Sequence, residues 1–193
     1  MPDGDNELAA LAAVGDRRAL EELLERHADR IHALCRRVIP HPEDALDATQ
    51  EAMIAVARGI GRFDGRAAFT TWLYRVATNA ALDELRRKRR RPEPTDPSLI
   101  DEPARGSALE DVVGARLDVD AALAELPEEF RVAVVLRDLC DLDYAEIAEI
   151  LDIPPGTVRS RIARGRAALL EHLGNHEALG NHEAVSPRRS GDG

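Results

Sequence analysis

The run from Asp143 to Leu170, DYAEIAEILDIPPGTVRSRIARGRAALL, limits the possible folds more than any other stretch. It spells two short helical patterns with a forced break between them. Asp143 is placed to cap the first, and Glu146 three residues on completes a capping box. Ile147, Ala148, Ile150 and Leu151 give that helix an apolar face. Pro154 and Pro155 lack amide donors and bias the residues before them away from helix, so the Asp152–Gly156 segment ends it. A second helix starts near Gly156 or Thr157. Val158, Ile162, Gly165 and Leu169 share its inward side, Arg159, Ser160, Ala163 and Arg164 the outward one, with Arg161 and Arg166 on the flanks. Guanidiniums presented this way can pair with guanine edges in a major groove or with phosphates. The competing reading is an amphipathic helix pair with a solvated arginine face. The order of capped helix, breaker and arginine-rich helix favours DNA.

The chain has 193 residues, room for one domain or two small ones. Almost no stretch shows strand-like alternation, and with only 3% aromatics the core must be built from Leu, Ala, Val and Ile. The class is therefore all-α. A net charge of −10 argues against a protein that coats nucleic acid indiscriminately. Its cations gather instead in Arg86–Arg91 and Arg159–Arg166. Cys35 and Cys140 lie in separate helical patterns and read as free core thiols. His32 and Cys35 share a helix face, but two potential ligands do not make a metal site, and no metal or cofactor is expected. No paired-carboxylate, phosphate-loop or nucleophile constellation marks an enzyme. No signal peptide opens the chain and no apolar run is long enough for a membrane span, so a cytoplasmic protein is expected.

A first helix is expected before Ala13, and Asp16 is a plausible cap for the next. That helix repeats Leu20, Leu23, Leu24, His27, Ile31, Leu34, Cys35 and Val38 at three-and-four spacing and stops near Pro40. Pro42 opens a third, with Glu43 and Asp44 suited to its positive end. Ala45, Thr49, Ala52, Met53, Val56 and Ile60 can face inward there. Asp47, Gln50, Glu51 and Ile54 form a second stripe, either a docking face or ordinary wet surface. After Gly59 and Gly61 comes a loop, Phe63-Asp64-Gly65-Arg66 to Phe69. Thr70 or Thr71 can cap a fourth helix, on which Arg75, Asn79 and Arg86 share a face leading into the basic run. A basic helix beside Phe63, Phe69 and Trp72 suits single-stranded DNA, whose unstacked bases enter pockets while cations hold phosphates. Each aromatic alone, Trp72 above all, reads equally well as core.

The stretch DATQEAMIAVARGIGRFDGRAAFTTWLYRVATNAALDELRRKRRRP resembles regions two-point-two to two-point-four of extracytoplasmic-function sigma factors of the sigma-70 family. LPEEFRVAVVLRDLCDLDYAEIAEILDIPPGTVRSRIARGRAAL resembles their region four. The QEAM stretch and the Ala- and Arg-rich helices are most similar to the actinobacterial SigM type. The resemblance runs from about Gly15 to Leu173 and implies two small helical domains joined by a flexible linker. Their boundaries would be a region 2 bundle over 1–91, an acidic linker over 92–113, a region 4 helix-turn-helix over 114–173, and a disordered tail over 174–193. It implies a subunit that binds core RNA polymerase through the β′ clamp helices and the β flap and initiates transcription at promoter DNA.

Residue by residue, the resemblance places Asp47, Gln50, Glu51 and Ile54 on the clamp helices. Phe63, Asp64, Gly65, Arg66, Phe69 and Asn79 would capture a flipped base of the minus-ten element, with Arg75, Arg86 and the basic run on nearby backbone. Thr157, Arg159, Ser160 and Arg164 would meet the minus-thirty-five element, with Arg161 and Arg166 on phosphates. The linker, with Asp96, Asp101, Glu102, Glu110 and Asp111, would pass near the RNA path. Such factors are usually held by an anti-sigma factor, so one is expected here. The family pattern has Gly near Asp141 or Leu142, which this chain lacks. The tail repeats GNHEA at Gly174 and Gly180, too short for a solenoid. Two rival functions are a stand-alone helix-turn-helix regulator and a sigma-like adaptor without promoter use.

Overall fold

The computed structural model describes residues 2–90 and 119–183, with side chains over 4–90 and 119–173. All regular structure among these residues is helical. The first unit comprises α1 (Pro2–Ala13), α2 (Arg17–Val38), α3 (Pro42–Gly59), a 3-10 turn (Ile60–Arg62) and α4 (Phe69–Arg90). The second comprises α5 (described over 119–125), α6 (Glu128–Asp138), α7 (Tyr144–Leu151) and α8 (Pro155–Glu183). The expected linker, Arg91 and the tail beyond residue 183 lie outside the described residues.

Local chemistry sets the ends. Asp16 caps α2 through its carboxylate, which accepts from Arg18 N at 2.9 Å and Ala19 N at 3.1 Å. Ile39 closes that helix before Pro40, and Pro42 opens α3 at its first turn. Leu23, Ile31, Leu34 and Val38 of α2 are buried against Ala45, Ala48, Ala52 and Val56 of α3 and Leu73, Ala77 and Ala81 of α4. Alanine at the facing positions lets α3 and α4 run close together, which places their outer faces along a shared groove.

In the second unit, the Asp143 box forms as the spacing requires: Asp143 Oδ1 accepts from Ala145 N and Glu146 N at 2.8 Å, and Glu146 Oε2 accepts from Asp143 N at 2.8 Å. The glycine missing from the preceding turn is replaced in function by Asp141, which itself takes φ of 53°. Aspartate is among the few side chains that tolerate this left-handed region. Asp152 does the same at the end of α7, φ 52°. Gly165 is favoured where it stands. A Cβ there would lie 2.6 Å from Val134 Cγ2 and 3.3 Å from the Phe130 carbonyl, so α8 seats directly on α6. α8 starts at Pro155 and continues through Gly174 to Glu183, past the end expected at Leu173. No proline interrupts the chain there before Pro187, and single glycines weaken a helix without breaking it.

The two units are docked, which two domains on a flexible linker did not lead one to expect. Residues Arg131 to Leu136 are all buried, so α6 is covered on more than one side. One side meets α8 and another meets α2. Thr71 Oγ1 donates to Glu146 Oε1 at 2.6 Å, and Arg75 Nη2 donates to Glu149 Oε2 at 2.8 Å, joining α4 to α7. Arg89 pairs with Glu128, and Arg37 with Asp120 at 3.4 Å. Between the units lies a cavity of about 450 Å³ lined by Asp29, Arg30, Ala33, Tyr74, Leu139, Cys140 and Asp141.

Candidate nucleic-acid interface

Three surfaces carry the residues singled out from the sequence. On α3, Asp47, Gln50, Glu51 and Ile54 all point to solvent, with Ile54 41% exposed. Leu46, 50% exposed, lies one turn before Gln50 and extends the stripe. Its i, i+4, i+8 relation to Gln50 and Ile54 was visible in the sequence, but a leucine beside buried Ala45 reads first as core.

The second surface is a groove of about 400 Å³ between α3 and α4. Asn79, Trp72, Val76 and Asp83 form one wall, Glu51, Ala55 and Gly59 the other, and Arg62 and Arg87 also line it. Its volume is that of a small-ligand site. Trp72 is half-buried, with one edge against Gly59 and another part lining the groove, so it serves core and groove together.

The loop at this groove is fixed by aromatics. Phe63 meets Phe69 and Trp72 edge-on, both with centroids 5.9 Å apart. Phe69 is 1% exposed. It supports Phe63 and Trp72 from below and offers no face for a base, because its ring is consumed by the core. Asp64 accepts from Arg66 N at 3.1 Å in a tight turn, with Gly65 at φ 71°. Asp64, Gly65 and Arg66 are exposed.

The expected cap at Thr70 or Thr71 does not form. α4 starts at Phe69, whose amide donates to Asn6 Oδ1 of α1 at 2.8 Å, and Thr71 is turned toward Glu146 instead. Arg75, expected beside Asn79, is drawn to Glu149 and does not line the groove. Arg86 pairs with Asp83 at 2.9 Å, Arg87 with Glu84 at 3.0 Å, and Lys88 with Asp44. Most of the basic run is thus compensated by the protein's own carboxylates.

The third surface is the outer face of α8. Val158 and Ile162 are buried, Arg159 and Arg164 exposed, Thr157 and Ser160 half-buried. Ser160 Oγ donates to the Thr157 carbonyl at 2.9 Å, leaving its lone pairs outward. Arg161 is 3.8 Å from Glu129, and Arg166 holds Asp138 through two nitrogens. Tyr144, not singled out from the sequence, has two guanidiniums over its ring, Arg137 at 5.6 Å and Arg159 at 5.7 Å from its centre. Its position directly after the cap was the available signal.

Burial governs the titratable groups. Cys35 and Cys140 are free, and burial pushes their thiols up to about 11 and about 12. Burial also lowers His27, although Asp5 Oδ2 lies 2.9 Å from its Nε2 and partly opposes the shift. The neutral ring then donates from Nε2, which matches an Nδ1 with no partner. For Asp5, burial acts to raise the carboxyl, but hydrogen bonds and charge from Arg26 and His27 outweigh it and hold it low.

Comparison with known proteins agrees with this architecture. Residues 23–91 match the family model for Sigma-70 region 2, and residues 116–169 that for Sigma-70, region 4. The chain is 39% identical over 170 residues to "ECF RNA polymerase sigma factor SigM" of Mycobacterium tuberculosis, covering 88% of this chain and 85% of that one. It is 38% identical over 176 residues to "ECF RNA polymerase sigma-E factor" of Escherichia coli strain K12, covering 86% and 92%. Among solved structures, CnrH in complex with the cytosolic domain of CnrY aligns with a TM-score of 0.66 and 27% identity, over 90% of this chain and 99% of that one. With both regions present in order and such relatives matched over most of their length, the chain belongs to the ECF RNA polymerase sigma factors of the sigma-70 family.

Proposed function

We propose that this sigma factor divides promoter recognition among the three surfaces. The α3 stripe, with Asp47, Gln50, Glu51 and Ile54, docks on the β′ clamp helices of core polymerase, while the second unit reaches the β flap. The α3–α4 groove takes a flipped base of the minus-ten element. Asn79 supplies hydrogen bonds and Trp72 an apolar wall, with Phe63, Asp64, Gly65 and Arg66 at the rim and Phe69 beneath. Arg75 and Arg86 hold the adjoining backbone. Thr157, Arg159, Ser160 and Arg164 meet the minus-thirty-five element, and Arg161 and Arg166 hold phosphates. The working units correspond to residues 1–91 and 114–173, joined by 92–113. The protein acts by differential binding. Unpairing costs energy, which base capture and backbone contacts in the holoenzyme offset.

The observation that carries this reading is an open groove lined by Asn79 and Trp72 on the same chain as an arginine-faced, firmly seated α8. The docked arrangement fits the unbound protein. Promoter elements at minus ten and minus thirty-five lie about 25 base pairs, roughly 85 Å, apart at about 3.4 Å per pair, whereas the two units are in direct contact through α4 and α7. Engaging both elements requires α7 to leave α4. A regulatory protein of the anti-sigma kind would hold the unengaged form. CnrH, 27% identical, is solved with the cytosolic domain of CnrY bound.

Run-off transcription with core polymerase and a genomic promoter library tests the division. Gln50→Ala with Glu51→Ala should weaken core binding, and Arg159→Ala should weaken use of the upstream element by roughly tenfold, the value of one good base contact. Identical defects from both sets would contradict it.

A further inference from the structure

We propose that Asn6, on α1, is a positioning residue for minus-ten base capture. The inference rests on the reading of the α3–α4 groove and its loop as the base site. The backbone amides that open any helix lack partners within it and need an acceptor from elsewhere. At the start of α4 that acceptor comes from far away in sequence: Asn6 Oδ1 takes the Phe69 amide at 2.8 Å. Phe69 in turn carries Phe63 and Trp72, each 5.9 Å away, and Trp72 lines the groove.

Asn6 is itself exposed, but the turn of α1 that carries it is anchored through its neighbour. Asp5 is 6% exposed and binds His27 Nε2 at 2.9 Å and Arg26 Nη1 at 2.6 Å. His27 meets the Phe69 ring edge-on at 5.5 Å, so α1 reaches Phe69 both directly and through α2. The far end of α1 backs the other end of the loop, where the Ala13 carbonyl lies 3.8 Å from a Cβ built at Gly61. α1 therefore holds the start of α4 by a hydrogen bond and lies against the turn before the loop, although it precedes the residues matched to region 2, 23–91. Nothing in this arrangement touches the outward stripe of α3. Loss of the Asn6 acceptor should thus disturb base capture and leave core docking intact.

The test uses the full chain assembled with core polymerase. The readouts are affinity for core and, by fluorescence anisotropy, holoenzyme affinity for a single-stranded minus-ten oligonucleotide. Asn6→Ala should weaken oligonucleotide binding by up to about fivefold, the ceiling set by the full stability value of one lost cap, with core affinity unchanged. Asn6→Asp keeps the acceptor and should restore binding. Wild-type behaviour of Asn6→Ala, failure of Asn6→Asp to restore, or an equal loss of core binding would each overturn the proposal. Asn79→Ala separates the two levels. If it binds the oligonucleotide as wild type does, the base-capture reading itself falls and takes the inference with it. If it is weakened while Asn6→Ala is not, only the role of Asn6 falls.

Discussion

Replacing Thr71 by Val should open the two units relative to one another without unfolding either. The hydroxyl donates to the Glu146 carboxylate at 2.6 Å, and Thr71 is only 4% exposed. Valine has nearly the same shape, so α4 keeps its packing. A hydrogen bond to a charged acceptor contributes about 1.5–3 kcal/mol. Glu146 is half-buried and can regain water, so the low end applies. About 1.5 kcal/mol corresponds to roughly a tenfold rise in the open population. Glu149→Ala adds little, because the Arg75–Glu149 pair is exposed at 41% and 70% and such pairs contribute at most about 1 kcal/mol.

Cys140 reports the opening. It is 8% exposed, lines the cavity between the units, and has its thiol held at about 12. Cys35, fully buried within the first unit with its thiol at about 11, is the internal reference. When closing is fast, the alkylation rate follows the open fraction. Iodoacetamide labelling followed by mass spectrometry should show Cys140 about tenfold faster in Thr71→Val and Cys35 unchanged. An unaltered ratio, or equal acceleration at both cysteines, would refute the reasoning.

Acid should loosen the clasp between α1 and α2. Burial holds His27 below its ordinary 6.5, so the unfolded chain takes up a proton first and stability falls as pH drops below about 6.5. Asp5, held low, adds a loss of the same sign as pH falls through the carboxylate range. Thermal melts at pH 7.5, 6 and 5 should trend downward, and His27→Gln should flatten the step between 6.5 and 5.5; an undiminished step would count against His27. Gly165→Ala should destabilise by about 1 kcal/mol, since overpacking against Val134 costs about 1–3 kcal/mol and alanine's helix preference returns about 1 kcal/mol. Gly156, with nothing within 4 Å of a built Cβ, should accept alanine with neutral or raised melting temperature; a loss there equal to that at Gly165 would deny the close approach of α8 to α6.

The periodic elements were legible because their causes are local. The α2 stripe, the Asp143 box and the inward set Val158, Ile162 and Gly165 all stand where spacing put them. What escaped was decided between elements. Thr70 and Thr71 were reasonable caps by neighbourhood, but Asn6 outcompetes them from 63 residues away. Phe69 looks like a ring for stacking until His27, Phe63 and Trp72 are seen around it. One clue to docking was present in VAVVL of α6, a run apolar on too many sides for a helix with a single covered face.

The carboxylate partners of the basic run change what a salt titration would measure. On bare DNA-binding helices, the slope of log affinity against log salt counts cations that displace condensed counterions. Here Asp83, Glu84 and Asp44 of the same unit already occupy Arg86, Arg87 and Lys88, and in the docked form Glu128 occupies Arg89. A phosphate approaching α4 exchanges places with an aspartate or glutamate, and the freed carboxylate gathers cations of its own. Ion uptake then offsets part of the ion release along this helix. Random duplex gains less from such an exchange, and a strand that also fills the groove gains what the exchange withholds.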